Sequence, residues 1–396
     1  MPNLIGFLIV LFFIAAFLRV DFFFTILYLL FAIYLISRLW MRRSASNLEA
    51  SRRFIERAFL GDEVSITLTV SNRGWLPIPW IRVWESLPVD LIAPPMHREV
   101  IGLRGYEERE LHYHLTCRRR GYYPLGPLQL DTGDLLGIHE TVRQQIDAEY
   151  LIVYPKVVAL GQLGLPTRSP LVVLRAHSPL FEDPSRIMGV RDYEVGDSPR
   201  RIHWTATASA GRLLVKQYEP AIARDTFICL DLDPASYEFR RRRVATELAI
   251  VTAASLANHI ITREGLPVGM ATMAWDQIAE EDVHFSLPLR KEKAHLMNIL
   301  EVLARAQMLR NGGESFVDLL QAESVDLPWG ATVVAITGCE EPEIFNTLLQ
   351  LRRSGFSVAL ILVQAALLSA ELQGRAELLG ISVHRVWEEE DLEVLA

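Results

Sequence analysis

The hydrophobic pattern begins with two apolar runs near the N-terminus, residues 4–18 and 22–36. Only residues 19–21, Arg-Val-Asp, separate them. Each run is shorter than the ~20 residues that comfortably span a bilayer, but both can cross if flanking residues such as Trp40 reach the interface. The pattern therefore predicts a two-helix transmembrane hairpin over residues 1–44. A single long signal anchor is the alternative, and it is disfavoured because the charges of residues 19–21 would lie at mid-membrane.

The flanking charges predict how this hairpin is oriented. Arginines cluster after the second apolar run, at Arg38, Arg42, Arg43, Arg52 and Arg53. Lys and Arg accumulate on the cytoplasmic side of membrane proteins. We therefore expect both termini and the bulk of the chain in the cytosol. No basic start precedes the first apolar run, so a cleaved signal peptide is not expected.

Alternating apolar and polar residues over residues 45–160 predict an immunoglobulin-like β-sandwich domain. Residues 63–70 read E-V-S-I-T-L-T-V, the alternation of a half-buried strand. The same alternation recurs in two further strand candidates, residues 80–84 and 108–116. Pro77 and Pro79 interrupt the pattern and predict an edge strand or a loop at that point. Short strands separated by Gly and Pro favour a sandwich.

From residue 223 onward the pattern changes to apolar runs alternating with helical segments. The runs predict buried strands at residues 226–230, 268–274, 331–337, 356–363 and 381–386. The segments between them predict helices at residues 241–263, 289–309, 342–353 and 365–379. Strands that alternate with helices indicate a parallel sheet covered on both faces. We therefore predict an α/β domain over residues 223–396.

Composition and the absence of common motifs argue against several classes of function. The formal net charge of −8 argues against nucleic-acid binding. Cys117, Cys229 and Cys339 lie too far apart for a disulfide framework or a C-x-x-C metal motif, which predicts buried free thiols. The sequence contains no P-loop, no G-x-G-x-x-G and no G-x-S-x-G. No common catalytic motif therefore points to an enzyme.

The segment with the highest density of charged and aromatic groups is residues 189–219, GVRDYEVGDSPRRIHWTATASAGRLLVKQYE. Its candidate interaction residues are Arg191, Tyr193, Gly196, Asp197, Arg200, His203 and Trp204. Ser198 is a good N-cap for a short helix that Gly211 would end. Asp197 would then pair with arginines near the helix start. This network either joins two domains or, with its aromatic residues, forms a recognition surface.

The spacing R-x-Y-x-x-G-D-x-x-R-x-I-H-W, followed by A-x-x-G-R-L-L-V-K, resembles the signature of a bacterial family, domain of unknown function 58. The signature usually has Arg where this chain has Ser209. The resemblance implies a protein of the bacterial inner membrane, in which residues 161–222 link the sandwich to a von Willebrand factor A-like, Rossmann-like domain. It also implies a MoxR-type AAA+ ATPase as partner.

In von Willebrand factor A-type domains the loop after the first strand reads D-x-S-x-S and holds a Mg²⁺-like ion. Aligned on Asp231, this chain has Asp233 and Ala235 in place of the two serines. The oxygen ligands that remain as candidates are Asp231, Asp233, Ser236 and Glu340. Because hard cations need several oxygen ligands, we expect no cofactor beyond a weakly held Mg²⁺ at this degenerate site.

The sequence features predict a membrane-anchored, cytosol-facing protein, and the family resemblance implies that it is an adaptor that works with the ATPase in assembly or in a chaperone-like role. The strand-end face around Asp231 and the signature residues would bind the partner. A cell-envelope hydrolase that uses Asp197 or Asp231 with His203 is one alternative. A non-catalytic structural protein of the envelope is another.

Overall fold

The computed structural model describes residues 21–88, 91–92, 96–133, 142–160, 182–193, 202–220, 225–310, 315–365 and 381–394, with residues 6, 9, 10, 12 and 13 near the N-terminus. The chain divides into two compact units. The first contains Met1–Lys156, Gln277–Ala279 and Leu300–Ala306, and the second contains Val157–Asp276, Glu280–Ile299 and Gln307–Ala396.

The first unit begins with helix α1, Asp21–Ala45. Its segment Phe24–Ala45 has 22 residues, a mean hydropathy of 1.8 and none of its apolar window buried. A helix of that length rises about 33 Å, at about 1.5 Å per residue, which is close to the ~30 Å of a bilayer core. The second predicted apolar run is therefore a helix that could cross a membrane. The first run, residues 4–18, lies largely outside the described residues.

The rest of the first unit is mainly β-structure. Its strands are β1 (Leu48–Arg53), β2 (Arg57–Phe59), β3 (Glu63–Asn72), β4 (Ile78–Ser86), β5 (Leu91–Ile92), β6 (Met96–Leu103), β7 (Glu108–Cys117), β8 (Gly121–Leu125), β9 (Leu128–Thr132), β10 (Val142–Ile146) and β11 (Glu149–Tyr154). They form sheets of order β1-β3-β7-β5, β10-β9-β4-β6 and β2-β11-β8. The apolar residues of β3 and β4, such as Ile66 and Val83, share one buried core cluster, so the first two sheets pack face to face.

The structure supports the prediction made from Pro77 and Pro79. Pro77 lies in the loop before β4, and Pro79 lies at the start of β4, where the strand pairs with β6 alone because its pairing with β9 begins at Ile81. The pairing with β6 shifts register between Ile78 and Ile81, where Pro79 lies. A locally unpaired edge with a register shift tolerates a residue that cannot donate to the ladder, although the rest of β4 lies between β9 and β6.

A buried charged network joins the two packed sheets. Arg52 on β1 donates through Nε to Glu85 on β4 at 2.7 Å, and the Tyr113 hydroxyl on β7 donates to the same carboxylate. The side chains of Arg52 and Glu85 are 1% and 0% exposed. Because Glu85 stands at an inward position of its strand, periodicity alone would predict an apolar residue there.

The second unit begins with an antiparallel pair and continues as an α/β sheet. Its strands are β12 (Glu182–Asp192), β13 (Leu214–Pro220), β14 (Thr226–Leu230), β15 (Val268–Asp276), β16 (Glu281–Arg290), β17 (Ala306–Gln307), β18 (Thr332–Thr337), β19 (Ser357–Val363) and β20 (Ser382–Val386). Its helices are α2 (Trp204–Ala210), α3 (Arg242–His259), α4 (Lys293–Arg305), α5 (Phe316–Ser324) and α6 (Pro342–Arg353); residues 300–306, at the end of α4 and the start of β17, are counted with the first unit.

The main sheet has the order β16-β15-β14-β18-β19-β20. All of its neighbours along this order are parallel except β15 and β16. The expectation of a parallel sheet is therefore corrected to a mixed sheet. Strand β16 was missed because it is half exposed, and helix α4 is correspondingly shorter than the predicted 289–309. The predicted helix at 365–379 lies almost wholly outside the described residues.

Helix α3 is the central helix of this unit and follows the prediction for residues 241–263. It continues into a π-helical turn, Ile260–Glu264, and Gly265 ends it with φ 66°. Arg242–Glu264 is also long and apolar enough to cross a membrane, but 78% of its apolar window is buried inside the protein. Burial by the protein's own sheet accounts for its apolar character, as expected for a core helix.

Candidate functional site

The carboxyl edge of the α/β sheet brings Asp231 and Thr337 together. Asp231 follows β14, and Thr337 ends the neighbouring strand β18. The Thr337 hydroxyl donates to Asp231 Oδ2 at 2.6 Å, and the backbone N–H of Asp233 donates to Oδ1 at 3.0 Å. In open α/β sheets ligands bind where the chain leaves two adjacent strands in opposite directions, and β14 and β18 are such a pair. This edge is therefore the first candidate site.

The loop after β14 closes over Asp231, which is only 3% exposed. The Ser236 side chain forms a hydrogen bond with the Asp231 carboxylate. The Tyr237 hydroxyl donates to the Asp231 backbone oxygen at 2.7 Å. Gly338 permits this approach, since a Cβ at that position would lie 2.4 Å from the Tyr237 ring. Hydrogen-bond donors that belong to the protein itself thus surround the Asp231 carboxylate.

Burial controls the titration of this site. It raises the pKa of the Asp231 carboxyl, and hydrogen bonds from Ser236, Thr337 and the backbone of Asp233 oppose that rise. Burial also raises the pKa of the Tyr237 hydroxyl well above its usual range, and the charge of Asp231 adds to the effect. Tyr237 therefore stays protonated and holds the loop in place as a hydrogen-bond donor.

The residues present do not fit a divalent-cation centre. Both carboxylate oxygens of Asp231 already accept hydrogen bonds, and Asp233 Oδ1 accepts the N–H of Ala235 at 2.8 Å. Glu340 has a raised pKa because it is partly desolvated, with Arg385 opposing the rise. Within the described ranges, no three His, Cys, Asp or Glu side chains are grouped so that they could hold a metal. A hard cation needs more oxygen ligands than this loop leaves available.

A small cavity beside Asp231 limits what the site could bind. Its volume is ≈ 10 Å³, which is about the space of one water molecule. It is lined by Leu230, Asp231, Leu232, Asp233, Met273, Leu309, Phe316 and Leu319. This cavity is too small for an organic substrate, so a partner at this edge would have to bind on the surface.

Part of the signature segment lies around strand β13. The Tyr193 N–H donates to Leu213 O at 3.0 Å, and the His203 N–H donates to Leu214 O at 2.8 Å. The backbone therefore brings residues 191–193 and 202–204 to the same end of β13. Arg191 lies in β12, next to an Asp192–Arg212 ion pair of 3.1 Å. Gly196, Asp197 and Arg200 lie outside the described residues, as does the predicted N-cap Ser198.

His203 has a structural task in this segment. Its Nδ1 accepts the backbone N–H of Ala206 at 3.2 Å, so His203 is the N-cap of helix α2. The helix begins later than a cap at Ser198 would give, but it ends at Gly211, which has φ 68°, as predicted. Trp204, the first helical residue, is 67% exposed. Among these described signature residues, the exposed indole of Trp204 is best suited to contact a partner.

The structure also reveals an exposed aromatic and arginine rim that the sequence analysis did not select. The Arg242 guanidinium lies 4.6 Å from the Phe239 ring centroid, and the Arg241 guanidinium lies 5.8 Å from that of Trp387. Phe239 and Trp387 are 77% and 40% exposed. They follow β14 and β20, parallel strands whose carboxyl ends share one edge. The sequence signal that could have indicated this rim is Phe239-Arg240-Arg241-Arg242, but by itself that run resembles the solvated start of a helix.

Comparison with known proteins gives a distant relative. YeaD of Bacillus subtilis (strain 168), an uncharacterized protein, is 24% identical over 258 residues. The match covers 62% of this chain and 61% of YeaD, so the chain spans about three-fifths of that relative's length.

Solved structures match only parts of the chain. The CARDB domain of the PF1109 protein from Pyrococcus furiosus is 15% identical, with a TM-score of 0.21, over 27% of this chain and 86% of that one. Alpha-2-macroglobulin from Escherichia coli is 16% identical, with a TM-score of 0.25, over 28% of this chain and 17% of that one. Both scores are too low to support a functional argument. Residues 189–337, which include the whole signature segment, β14 and Thr337, match the family model described as "Protein of unknown function DUF58".

Proposed function

We propose that the chain is a membrane-anchored, non-catalytic adaptor whose α/β unit binds a protein partner through the carboxyl edge of its sheet. The exposed rim carries the proposal: Phe239 and Trp387, each with an arginine against its ring, follow strands that end at the same sheet edge as the enclosed Asp231. Aromatic residues and Arg are the groups most enriched at binding hot spots of protein interfaces. A surface of this composition, beside a cavity of water size, is suited to a protein rather than to a small substrate.

The sheet supports the finer proposal of a von Willebrand factor A-like domain. Apart from the two-residue β17, which pairs with β15, the order counted within the sheet is 3-2-1-4-5-6, the doubly wound order, with an antiparallel strand at one edge. In this chain, hydrogen bonds from Thr337 and Asp233 occupy the carboxylate that such a domain would direct to a metal. The proposed binding mode is therefore metal-independent.

The proposed partner is a MoxR-type AAA+ ATPase, as the family resemblance implies. Helix α1 would anchor the adaptor in the bacterial inner membrane, with the α/β unit in the cytosol, where ATP is available to such an enzyme. Tethering would raise the effective concentration of the complex at the membrane. The hydrolase alternative gains no support from the described residues, because His203 caps a helix and Asp231 is enclosed.

The test is binding of the purified ATPase from the same organism to the detergent-solubilised full chain. The rim variant is Phe239→Ser with Trp387→Ser. Val325→Ser is the matched control, because Val325 is 80% exposed and follows α5, at the opposite, amino edge of the sheet. We expect the wild type and the control to retain the ATPase and the rim variant to lose it, with or without chelator. Equal binding by all three would overturn the assigned surface, and no binding by any would overturn the partner.

A further inference from the structure

A rigid end of the β-sandwich lies beside the proposed membrane anchor. Helix α1 ends at Ala45 and strand β1 begins at Leu48, so almost no linker separates them. The Asn47 amide donates to Arg43 O at 2.7 Å, and the Gln144 amide donates to Ala45 O at 2.7 Å. The last carbonyls of a helix have no hydrogen-bond donor within the helix itself, and here side chains beyond the helix supply donors. These bonds restrict the orientation of α1 relative to the sandwich.

The helix is also fixed one turn further back. The indole N–H of Trp40 donates to Pro77 O at 3.0 Å, in the loop between β3 and β4. The Arg73 N–H in the same loop donates to Asn47 O at 2.8 Å. This loop consequently lies at the level of Trp40 along the helix. Trp is enriched at the membrane–water interface, so the loop is at that level as well when α1 spans a bilayer.

Asn72 joins this loop to the turn between β6 and β7. Its side chain is buried and donates to Leu76 O at 2.8 Å and to Arg104 O at 2.9 Å. The Tyr106 N–H donates to Gly74 O at 2.9 Å. Both turns are thus held together as one surface, and they present their tips in fixed positions.

Each tip exposes a large aromatic side chain. Trp75 is 67% exposed and Tyr106 is 73% exposed. Tyr106 also has φ 60°, a conformation that a bulky residue adopts only when its surroundings impose it. Exposed arginines belong to the same end of this unit: Arg73 and Arg104 lie in the two turns, and Arg38, Arg42 and Arg43 lie near the end of α1. Two nearby acids are already engaged, because Glu49 pairs with Arg73 and Glu107 accepts the Arg104 N–H.

We infer that this surface, Trp75 and Tyr106 with the arginines of the two turns and of the end of α1, rests in the headgroup region of an anionic bilayer. Tyr and Trp prefer this region because one end of the ring is apolar and the other polar, and arginines are attracted to anionic lipid. The contact would fix the tilt of the sandwich relative to the membrane. It rests on the proposed anchoring by α1, but it does not depend on the ATPase.

The first test measures depth in vesicles of phosphatidylcholine and phosphatidylglycerol that contain the full chain. Nitroxide labels are placed singly on cysteines at positions 75, 106, 29 and 325, in a Cys339→Ser background, since Cys117 and Cys229 are buried. Collisions with oxygen and with a water-soluble nickel chelate are compared. Position 29 is the reference for a site on the membrane helix, and position 325 is the reference for a site exposed to water. We expect positions 75 and 106 to lose most nickel collisions relative to 325, while remaining shallower than 29.

The outcomes separate the two claims. If position 29 is deep in the bilayer while 75 and 106 match 325, the anchor stands and the inferred contact is wrong. If position 29 itself matches 325, the anchoring proposal and the contact fail together. A second measurement keeps the native side chain: brominated lipid should quench the wild type more than Trp75→Phe. Trp329→Phe, which removes an indole from the second unit, should leave the lipid-quenched signal unchanged.

Discussion

At the residue scale, the chemistry of the α/β unit centres on the enclosed carboxyl of Asp231. Hydrogen bonds from Thr337, Ser236 and the backbone of Asp233 stabilise its charged form, while burial destabilises it. The net result is a raised pKa. A buried acid with a perturbed pKa is often a functional candidate, but ion-pair and hydrogen-bond networks produce the same shift. Here the donors belong to the loop that Asp231 organises, which favours a structural role.

This pKa shift predicts how stability depends on pH. The folded chain holds the Asp231 proton at pH values where the unfolded chain, with aspartates near 3.9, has released it. The contribution to the free energy of unfolding is therefore largest below about pH 3.9 and is lost as pH rises through the folded pKa. Asp231→Asn, which cannot titrate, should not show this decline.

The measurement is hydrogen exchange of the β14 and β18 amides between acidic and neutral pH, corrected for intrinsic exchange rates. Asp326→Asn removes an exposed carboxyl near the opposite edge and is the matched control. It should follow the wild-type pH dependence. Parallel curves for wild type and Asp231→Asn would show that the shift has the wrong sign or is absent.

At the element scale, we expect the buried network of Arg52, Glu85 and Tyr113 to help set how the two packed sheets are aligned. Each residue comes from a different strand, and the two sheets contribute to one carboxylate. Burying two charges costs desolvation energy that their attraction only partly offsets. Such a network contributes less to stability than to a single alignment of the sheets.

This interpretation predicts that removing one member of the network and removing all three have different effects on the stability of the sandwich. Glu85→Leu should destabilise the sandwich by about 3–5 kcal/mol, because it leaves the buried Arg52 guanidinium with only the half-exposed Glu149 carboxylate as its ion-pair partner. The triple variant Arg52→Met, Glu85→Leu, Tyr113→Phe should recover most of that loss. Urea unfolding with hydrogen exchange of β3 and β7 measures both. Arg73→Met, which breaks a pair with both side chains 64% exposed, should cost below about 1 kcal/mol. A triple variant no more stable than Glu85→Leu would contradict this account.

At the scale of the whole molecule, the proposed function requires the second unit to face the cytosol. The arginines after the apolar part of α1 favour that orientation. A C-terminal green fluorescent protein fusion should therefore fluoresce, and a C-terminal alkaline phosphatase fusion should be inactive. Phosphatase fused after residue 20, between the two apolar runs, should be active if both runs cross. An active C-terminal phosphatase would place the α/β unit outside the cytosol and favour the envelope hydrolase.

The pattern of apolar and polar residues by itself determined many of the helices and strands of this protein. A segment that is buried on one or both faces places its apolar residues with a regular period, and that period can be identified in the sequence. The strand Thr226–Leu230, the helix Pro342–Arg353 and the glycine ends at Gly211 and Gly265 follow from apolar runs and cap chemistry alone. The apolar helix α1 follows for the same reason.

Only the tertiary structure decided the features that depend on distant partners. The hydrogen bond between Asp231 and Thr337 joins residues 106 positions apart, and no local pattern specifies that distance. A register shift admits Pro79 at the end of β4 that pairs with β6 alone, and an exposed edge lets β16 run antiparallel with a weak apolar signal. Trp75 and Tyr106 lie on two turns at the sandwich end that are held together because Asn72 joins them. The sequence of a segment indicates which of its faces are buried, whereas only the tertiary fold determines which distant segments contact one another.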